Sequence, residues 1–198
     1  MKENVFGSLR LFLALTVLLG LAYPLAVWGI GRVAFREKAD GSFLRKEEGG
    51  GQATPVGSAL IGQSFLSKKF FHGRPSAAGD AGYDATQSGG TNLGPTSKKL
   101  SEAIRDRVAA LRGENPDAGA ASPVPADAVT SSASGLDPHI SPEYARLQIP
   151  RVSRETRIPA ATLEALVAQH TEGRFLGIFG ERRVNVLLLN LELGRPAP

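Results

Sequence analysis

The sequence predicts an α+β protein, in which one N-terminal transmembrane helix precedes a single soluble domain of mixed helices and strands. Residues 11–31 form an uncharged run of 21 residues, which is the length that a membrane-spanning helix requires. Later segments repeat apolar residues at helical spacing, and the C-terminal part carries two apolar runs separated by a turn. Because these helices and strands do not alternate in a regular βαβ pattern, they favour the α+β class.

The uncharged run, LFLALTVLLGLAYPLAVWGIG, is predicted to be a single membrane span. As a helix it would reach about 32 Å, close to the roughly 30 Å thickness of a bilayer's hydrocarbon core. Arg10 and Arg32 flank it. The alternative is a signal peptide cleaved near Ala22, but the apolar run continues nine residues beyond that position. A retained span therefore explains its length better than a cleaved leader does.

The predicted organisation is an N-terminal tail (1–10), a transmembrane helix (11–31), a linker (32–55) and a soluble α+β domain (56–198). The linker contains the glycine-rich stretch EEGGGQATP and is expected to be flexible. A net charge of +4 gives little reason to expect a nucleic-acid partner. The absence of cysteine from the sequence excludes disulfides and zinc–thiolate sites.

The first half of the soluble domain is predicted to contain a short strand and a long helix. The strand is expected at residues 59–61, and Phe65, Phe70 and Phe71 after it are expected in the core. The helix is expected over residues 95–113, where apolar residues recur every three or four positions and form one stripe. The stripe consists of Leu100, Ile104, Val108 and Leu111.

Two more helices are predicted in the second half. Ser141 followed by Pro142 and Glu143 is typical of a helix start, because serine caps the first turn and proline suits its first position. This helix is expected to cover only residues 142–148, since Pro150 lacks the amide hydrogen that would continue it. Another helix is expected over residues 160–171, from its apolar spacing.

The C-terminal part is predicted to form a hairpin. Residues 175–179 and 184–188 are apolar runs, and the turn between them is expected near Gly180 and Glu181. The second run is expected to pass into a terminal helical turn.

A glycine-rich stretch, SGGTNLGPTSKK, resembles a phosphate-binding loop but departs from it at the position that matters most. Gly89 and Gly94 have the required spacing, yet Pro95 stands where the phosphate-binding lysine belongs. Proline also removes a backbone amide donor. The segment before it is polar and does not read as a buried strand, so we expect a tight loop leading into a capped helix, with no self-sufficient nucleotide site.

A second cluster suggests a hydrolase but lacks its signature. Ser132, Ser134, Asp137 and His139 lie close together in the sequence, whereas the members of a catalytic triad generally come from separate elements. The G-x-S-x-G turn of many hydrolases is missing, and the three histidines have no metal-ligand spacing. We therefore predict no catalytic residue and no metal site, and a secreted hydrolase is the least favoured alternative.

Long blocks of the sequence resemble the C subunit family of the bacterial Kdp potassium-transporting P-type ATPase. They occur in the family's order from the membrane span almost to the C-terminus, which is far more specific than either short motif. The matching blocks are YPL, GSALIGQSF, FHGRPSA, SGGTNL, RVAALR, NPDA, SASGLDPHISPEYARLQIPRV and VNVLLLNLEL.

The resemblance implies a single-pass subunit of the bacterial inner membrane that is needed for assembly and transport. Its expected partners are an ATP-hydrolysing pump subunit, a channel-like potassium-binding subunit and a very small hydrophobic subunit. The chain would not itself hydrolyse ATP, in keeping with its lack of a DKTGT phosphorylation motif. It would act as a catalytic chaperone that raises the pump subunit's affinity for ATP.

The resemblance also marks residues for nucleotide contact. The family's serine- and glycine-rich segment corresponds to residues 132–137, and its stressed glutamine is Gln148. The expected contacts with ATP are Gln148, Ser132, Ser134 and Gly135. Gln148 has an alternative role, in which its amide braces the turn that follows it. A membrane-tethered regulatory module that binds nucleotide is the corresponding alternative function.

The side of the membrane decides between direct and indirect action. Lysines and arginines are more numerous after the span than before it, which favours a cytoplasmic soluble domain. The resemblance implies instead a periplasmic domain, which is the expectation adopted here. A periplasmic domain cannot touch cytoplasmic ATP, so its effect on ATP affinity would be conformational coupling between subunits.

Overall fold

The computed structural model describes residues 2–48, 52–119 and 122–194. The chain divides into two compact units, Met1–Phe43 and Leu44–Pro198. The mixture of helices with small sheets confirms the predicted α+β class.

The first unit is dominated by one long helix. It comprises α1 (Lys2–Val17), a π-helical turn (Leu18–Ala22) and α2 (Tyr23–Ala34). Its 32 residues from Glu3 to Ala34 are long and apolar enough to cross a membrane. The predicted span lies inside this helix, and residues 2–10, expected as a separate tail, belong to it as well.

The π-helical turn accounts for the proline in the middle of the helix. Pro24 lacks an amide hydrogen and would clash with the carbonyl of the preceding turn in a regular α-helix. The Tyr23 amide donates instead to the carbonyl oxygen of Leu18, five residues earlier. The wider turn thus lets the helix continue, which is the usual role of single π-turns inside α-helices.

The predicted linker, residues 32–55, contains regular structure. After the short helix α3 (Arg36–Ala39), strands β1 (Phe43–Glu48) and β2 (Gln52–Ser58) form a two-stranded sheet. The predicted strand at residues 59–61 is wrong, because β2 ends at Ser58. There the Ser58 hydroxyl accepts from the Leu60 amide at 3.1 Å and the Ser58 carbonyl from the Ile61 amide at 3.2 Å, which closes a turn.

The rest of the second unit packs helices around a small antiparallel sheet with the strand order β3-β5-β4. In this sheet Val184 lies opposite both Ile140 and Thr171. The strands are β3 (His139–Ile140), β4 (Thr171–Glu172) and β5 (Arg183–Asn185). The helices are α4 (Lys98–Glu114), α5 (Ala126–Val129), α6 (Pro142–Thr156), α7 (Ala160–Gln169) and α8 (Val186–Leu193), with 3₁₀ turns at Ala85–Gln87 and Pro116–Ala118.

The long helix α4 confirms the predicted one, although it begins three residues later. Ser97 caps it by accepting from the Leu100 amide at 3.4 Å. Leu111 is buried, and Ile104 and Val108 pack against the core. Helix α7 also confirms its prediction but ends at Gln169, because the chain then enters β4.

The predicted end of α6 at Gln148 is wrong. The helix continues through Pro150 to Thr156. A proline inside a helix costs about 3 kcal/mol, but this helix buries an apolar face beside Gln148 and Arg151. Because burying one large aliphatic side chain contributes about 1.5–3 kcal/mol, that face offsets the cost. Its members are Tyr144, Ala145, Ile149 and Val152.

The predicted C-terminal hairpin is wrong in its strands. Strand β5 pairs with β4 and β3, whereas residues 175–179 form a turn in which Phe175 and Phe179 bridge each other. The apolar run at 184–188 is split, because the Asn185 side chain accepts from the Leu188 amide at 3.1 Å and starts α8. The predicted passage of this run into a helix is confirmed.

The core lies where α6, α7 and α8 meet β5. Phe71 is fully buried in it, as predicted, and Phe65 packs against its edge. The other buried apolar side chains include Ile140, Tyr144, Ile149, Val152, Leu163, Val167, Val184 and Leu189.

Candidate functional site

The predicted nucleotide residues lie around one segment, residues 67–76, which begins with a turn at residues 67–70 and which we call the central strap. Gln148 lies in α6 and contacts the middle of the strap through its backbone at His72. The serine- and glycine-rich segment, residues 132–137, contacts its end. There the Ser132 amide donates to the Pro75 carbonyl at 3.3 Å.

Gly135 holds the serine- and glycine-rich segment in close contact with the strap's end and the glycine-rich loop. Its φ is +68°, a conformation that side chains disfavour. A Cβ at this position would lie 2.8 Å from both the Ala78 amide nitrogen and the Gly89 carbonyl oxygen. The segment therefore requires glycine here, because its backbone lies too close to the backbones of Ala78 and Gly89 for a side chain to fit.

The glycine-rich loop that resembles a phosphate cradle packs on this segment. The Gly89 amide and the Ser88 hydroxyl both donate to the Ser134 carbonyl, at 2.9 and 3.0 Å. A Cβ on Gly90 would lie 2.8 Å from the Ala133 carbonyl oxygen. A 3₁₀ turn precedes the loop in place of the buried strand of a phosphate-binding loop. The glycines of this loop thus allow its backbone to approach the backbone of residues 133–134.

Ser76 joins the strap to both segments. Its hydroxyl donates to the Gly135 carbonyl at 2.7 Å and accepts from the amides of Tyr83 and Ala78, at 2.8 and 3.1 Å. The Tyr83 hydroxyl in turn donates to the Arg74 carbonyl at 2.7 Å, and burial raises the pKa of Tyr83 to about 12. The hydroxyl groups of Ser76 and Tyr83 therefore fix the end of the strap against its neighbours.

The side chains of Arg74 and Asp137 and the backbone amide of His139 form a half-buried hydrogen-bonded group at the end of the strap. Arg74 donates to Asp137 Oδ2 at 3.0 Å, and the His139 amide donates to Asp137 Oδ1 at 3.0 Å. Partial burial raises the pKa of Asp137, but the hydrogen bonds from His139 and Arg74 outweigh it, so the net pKa lies below the usual value. The carboxylate of Asp137 thus accepts from an arginine and a backbone amide, as in a structural ion pair.

Gln148 is almost completely buried, at 1% exposure. Its Oε1 accepts from the His72 amide and from Arg151, both at 2.7 Å, and its Nε2 donates to the His72 carbonyl at 3.1 Å. Both lone pairs of the oxygen and one hydrogen of the amide are engaged within the chain. The amide therefore braces the strap, and not the turn after Gln148 that the sequence suggested, because α6 continues past that position to Thr156.

Arg151 is fully buried and was not singled out from the sequence. Its guanidinium donates to Asn115 Oδ1 at 3.0 Å, to the Phe70 carbonyl at 3.0 Å and to the Lys68 carbonyl, besides Gln148. Burial lowers its pKa. One side chain thus bonds the strap at two carbonyls and connects it to α4 and α6.

Asn190 completes this buried network from α8. Its amide exchanges two hydrogen bonds with the backbone of Phe71, at 2.8 and 2.9 Å. Both it and Arg151 had weak signals in the sequence: Asn190 is one of two asparagines in the apolar run VNVLLLNLEL, and Arg151 follows Gln148 by three residues. That spacing shares a helix face only if the helix passes Pro150.

His72 lies at the edge of the network. Its Nε2 is 3.2 Å from the Ser67 carbonyl and its Nδ1 is 3.4 Å from a carboxylate oxygen of Glu114. Burial and then the charge of Arg151 lower the pKa of His72, against the opposing effects of Ser67 and Glu114. Folding therefore favours the neutral form of the ring.

A cavity of about 270 Å³ opens beside the strap, near His72, Tyr83 and Tyr144. It is slightly smaller than most ligand pockets, which measure about 300–1,000 Å³. A larger cavity of about 660 Å³ lies near Val124 and Leu147. Neither is lined by the four residues predicted to contact nucleotide. Within residues 2–48, 52–119 and 122–194, no group of three histidine, aspartate or glutamate side chains could hold a metal ion.

Comparison with known proteins places this architecture in a family. A profile described as "KdpC: K+-transporting ATPase, c chain" matches residues 5–195. A potassium-transporting ATPase KdpC subunit of Koribacter versatilis is 48% identical over 198 residues, covering all of this chain and 97% of the relative. Proteins of the same name from Dechloromonas aromatica and Mycobacterium tuberculosis H37Rv are each 49% identical over 98% of this chain, covering 97% and 100% of their own lengths. The chain belongs to the KdpC family and is a subunit of a potassium-transporting ATPase complex.

Proposed function

We propose that this chain is a non-catalytic subunit of an ATP-driven potassium uptake complex, needed for assembly, which raises the ATP affinity of the pump subunit by conformational coupling. The observation that carries the indirect mode is the bonding of Gln148. Its amide is 1% exposed and engaged by His72 and Arg151. A nucleotide would have to displace these bonds and leave the buried Arg151 with an acceptor missing.

The partners we propose are the ATP-hydrolysing subunit, the channel-like potassium-binding subunit and the small hydrophobic subunit. The long N-terminal helix supports a single-pass attachment to the bacterial inner membrane. We propose a periplasmic soluble unit, on the resemblance described above. In that location ATP would be out of reach, and a rigid unit braced on the strap could still bias the conformations of the membrane subunits.

Binding measurements on the full-length chain in detergent test the indirect mode. Titration with fluorescent ATP is expected to show no saturable binding up to millimolar concentration. Saturable binding that Gln148→Ala, Ser132→Ala or Ser134→Ala weakens would favour the regulatory module that contacts ATP directly. Ser134→Ala is the informative variant, since this exposed side chain can be shortened without disturbing the core.

Kinetics of the assembled complex test the coupling itself. The pump subunit assayed without this chain is expected to need about 5- to 150-fold more ATP for half-maximal hydrolysis than the complete complex, the range of typical allosteric couplings. An unchanged ATP requirement would refute the chaperone role. A reporter fused after Pro198 that is active in one compartment only determines the side of the membrane, and cytoplasmic activity would refute the periplasmic location.

A further inference from the structure

The turn between β4 and β5 exposes four large apolar side chains. Phe175, Leu176, Ile178 and Phe179 are 71, 73, 72 and 62% exposed. We call residues 175–179 the apolar tip. Single exposed apolar residues are ordinary on protein surfaces, but a contiguous group of this size marks contact with another surface.

The backbone of the apolar tip is ordered by its own hydrogen bonds. Phe175 and Phe179 exchange amide–carbonyl bonds of 2.8 and 2.9 Å, and the Gly177 amide donates to the Arg174 carbonyl at 3.0 Å. Leu176 has a φ of +53°, a conformation that large side chains rarely adopt. The turn therefore holds its apolar side chains outward, in a backbone conformation that has a cost and that no packing of the tip explains.

Charged residues surround the base of the tip. Arg174 pairs with Glu181 at 2.6 Å, and Arg183 pairs with Glu172 at 2.8 Å. Arg182 is also exposed. Three arginines against two glutamates leave the base with one net positive charge. Apolar side chains at the end and guanidinium groups at the base match the layering of a lipid interface, where acyl chains lie below phosphates.

We propose that the apolar tip inserts into the interfacial layer of a lipid bilayer, with the arginines at its base near lipid phosphates. This inference rests on the proposed membrane attachment through the N-terminal helix. Helix α2 ends at Ala34 and the second unit begins at Leu44, so at most about 36 Å of chain separates them. Such a short tether keeps a lipid surface at high effective concentration, at which weak insertion suffices.

The size of the tip favours lipid over a protein partner. A standard protein interface buries about 800 Å² on each side and forms about ten hydrogen bonds. A narrow turn of four apolar side chains, whose backbone bonds are largely satisfied within the turn, supplies neither. Lipid adapts to a convex apolar turn and requires no complementary surface.

Fluorescence quenching in lipid vesicles tests the proposal on the full-length chain. The single tryptophan, Trp28, lies in α2, so Trp28→Phe combined with Phe179→Trp moves the probe to the tip. A matched control combines Trp28→Phe with Glu164→Trp, an exposed position on α7. Each protein is reconstituted into phosphatidylethanolamine–phosphatidylglycerol vesicles whose acyl chains are brominated near the headgroup. We expect the probe at 179 to be quenched several-fold more strongly than the probe at 164.

The unmodified Trp28 separates the two possible failures. If Trp28 is quenched and the probe at 179 is quenched no more than the control, the tip does not insert and the proposal is wrong. If Trp28 itself is not quenched, the membrane attachment fails, and the tip proposal fails with it. A photo-crosslinker at position 179 in the assembled complex is expected to label lipid, and labelling of a protein subunit instead would also overturn the proposal.

Discussion

The central strap and the apolar tip belong to the same soluble unit, yet each reverses the usual placement of side chains in its own way. Around the strap, an arginine and two amides are buried: Arg151, Gln148 and Asn190 are 0, 1 and 3% exposed. At the tip, large apolar side chains such as Leu176 are more than 60% exposed. Both arrangements are unfavourable unless a partner compensates them.

The strap and the tip differ in where the compensating partner groups lie. The polar groups around the strap find theirs inside the chain, in the backbone of residues 68–72 and in Asn115. The apolar side chains of the tip find none within the turn. The buried polar side chains around the strap therefore fix the shape of the unit, whereas the exposed apolar side chains of the tip are available to a second surface.

Removal of Arg151 should have the largest effect on this contrast. Arg151→Met is expected to lower the free energy of unfolding by about 3–5 kcal/mol, because buried acceptors on Asn115, Gln148 and the strap lose their donor. Chemical denaturation of the full chain in detergent measures this change. Arg146→Met, on an exposed part of the same helix, should change stability by less than about 0.5 kcal/mol. Equal effects of the two variants would contradict a structural role for the buried guanidinium.

A methyl group on Gly135 should push the serine- and glycine-rich segment away from Ala78 and Gly89. Gly135→Ala is expected to cost at least about 2 kcal/mol, because alanine is strained at positive φ and its Cβ would overlap backbone atoms. Gly94→Ala is the matched control, since its Cβ would meet no atom within 4 Å. Thermal unfolding of both variants tests this prediction, which fails if they melt together.

Acidification should weaken the strap through His72. The pKa of His72 is lowered by folding, so the folded state binds its proton less readily than the unfolded chain, whose histidine titrates near about 6.5. The contribution of His72 to stability is therefore complete above that pH and is lost as the pH falls below it. The loss is up to about 1.4 kcal/mol for each unit by which folding lowers the pKa. Unfolding measured at pH 7.5 and 5.5 should show a smaller decrease in His72→Gln than in the unmodified protein; equal decreases would contradict the assignment.

Polar substitutions at the tip should have the smallest effect on folding. Phe175→Ser combined with Phe179→Ser is expected to change the free energy of unfolding by less than about 0.5 kcal/mol per substitution, because both side chains are exposed. The same variant should lose attachment of the tip to lipid. A large loss of stability in detergent would mean that the tip is part of the fold, and the comparison with the strap would fail.

Local signals in the sequence predicted the helices well where capping and apolar spacing agree. The start of α6 at Ser141 followed from its cap, which accepts from the Tyr144 amide at 3.1 Å. Its end did not, because the cost of Pro150 is local while the burial that offsets it is tertiary. The prediction of a strand at 59–61 was wrong for a different reason. The turn at Ser58 that ends β2 is a local feature, but its sequence resembles no strong turn motif.

Sequence reasoning named some residues of the candidate site and none of their arrangement. The resemblance pointed to Gln148 and Gly135, and both prove to be packed against the strap. The bonds of Asn190 and Arg151 were not predictable, because they join positions far apart in the sequence. No spacing rule connects an asparagine in the last helix with Phe71.

The hydrogen bonds between Phe71 and Asn190 span 119 residues. A ribosome that adds about 5–20 residues per second needs roughly 6 to 24 seconds to cover that interval. During this time the strap has emerged without the helix that closes over it, and the amide and carbonyl of Phe71 bond to water. The soluble unit therefore reaches its final shape only after Asn190 has been synthesised, so a message that ends before that residue yields a polypeptide without a closed interior.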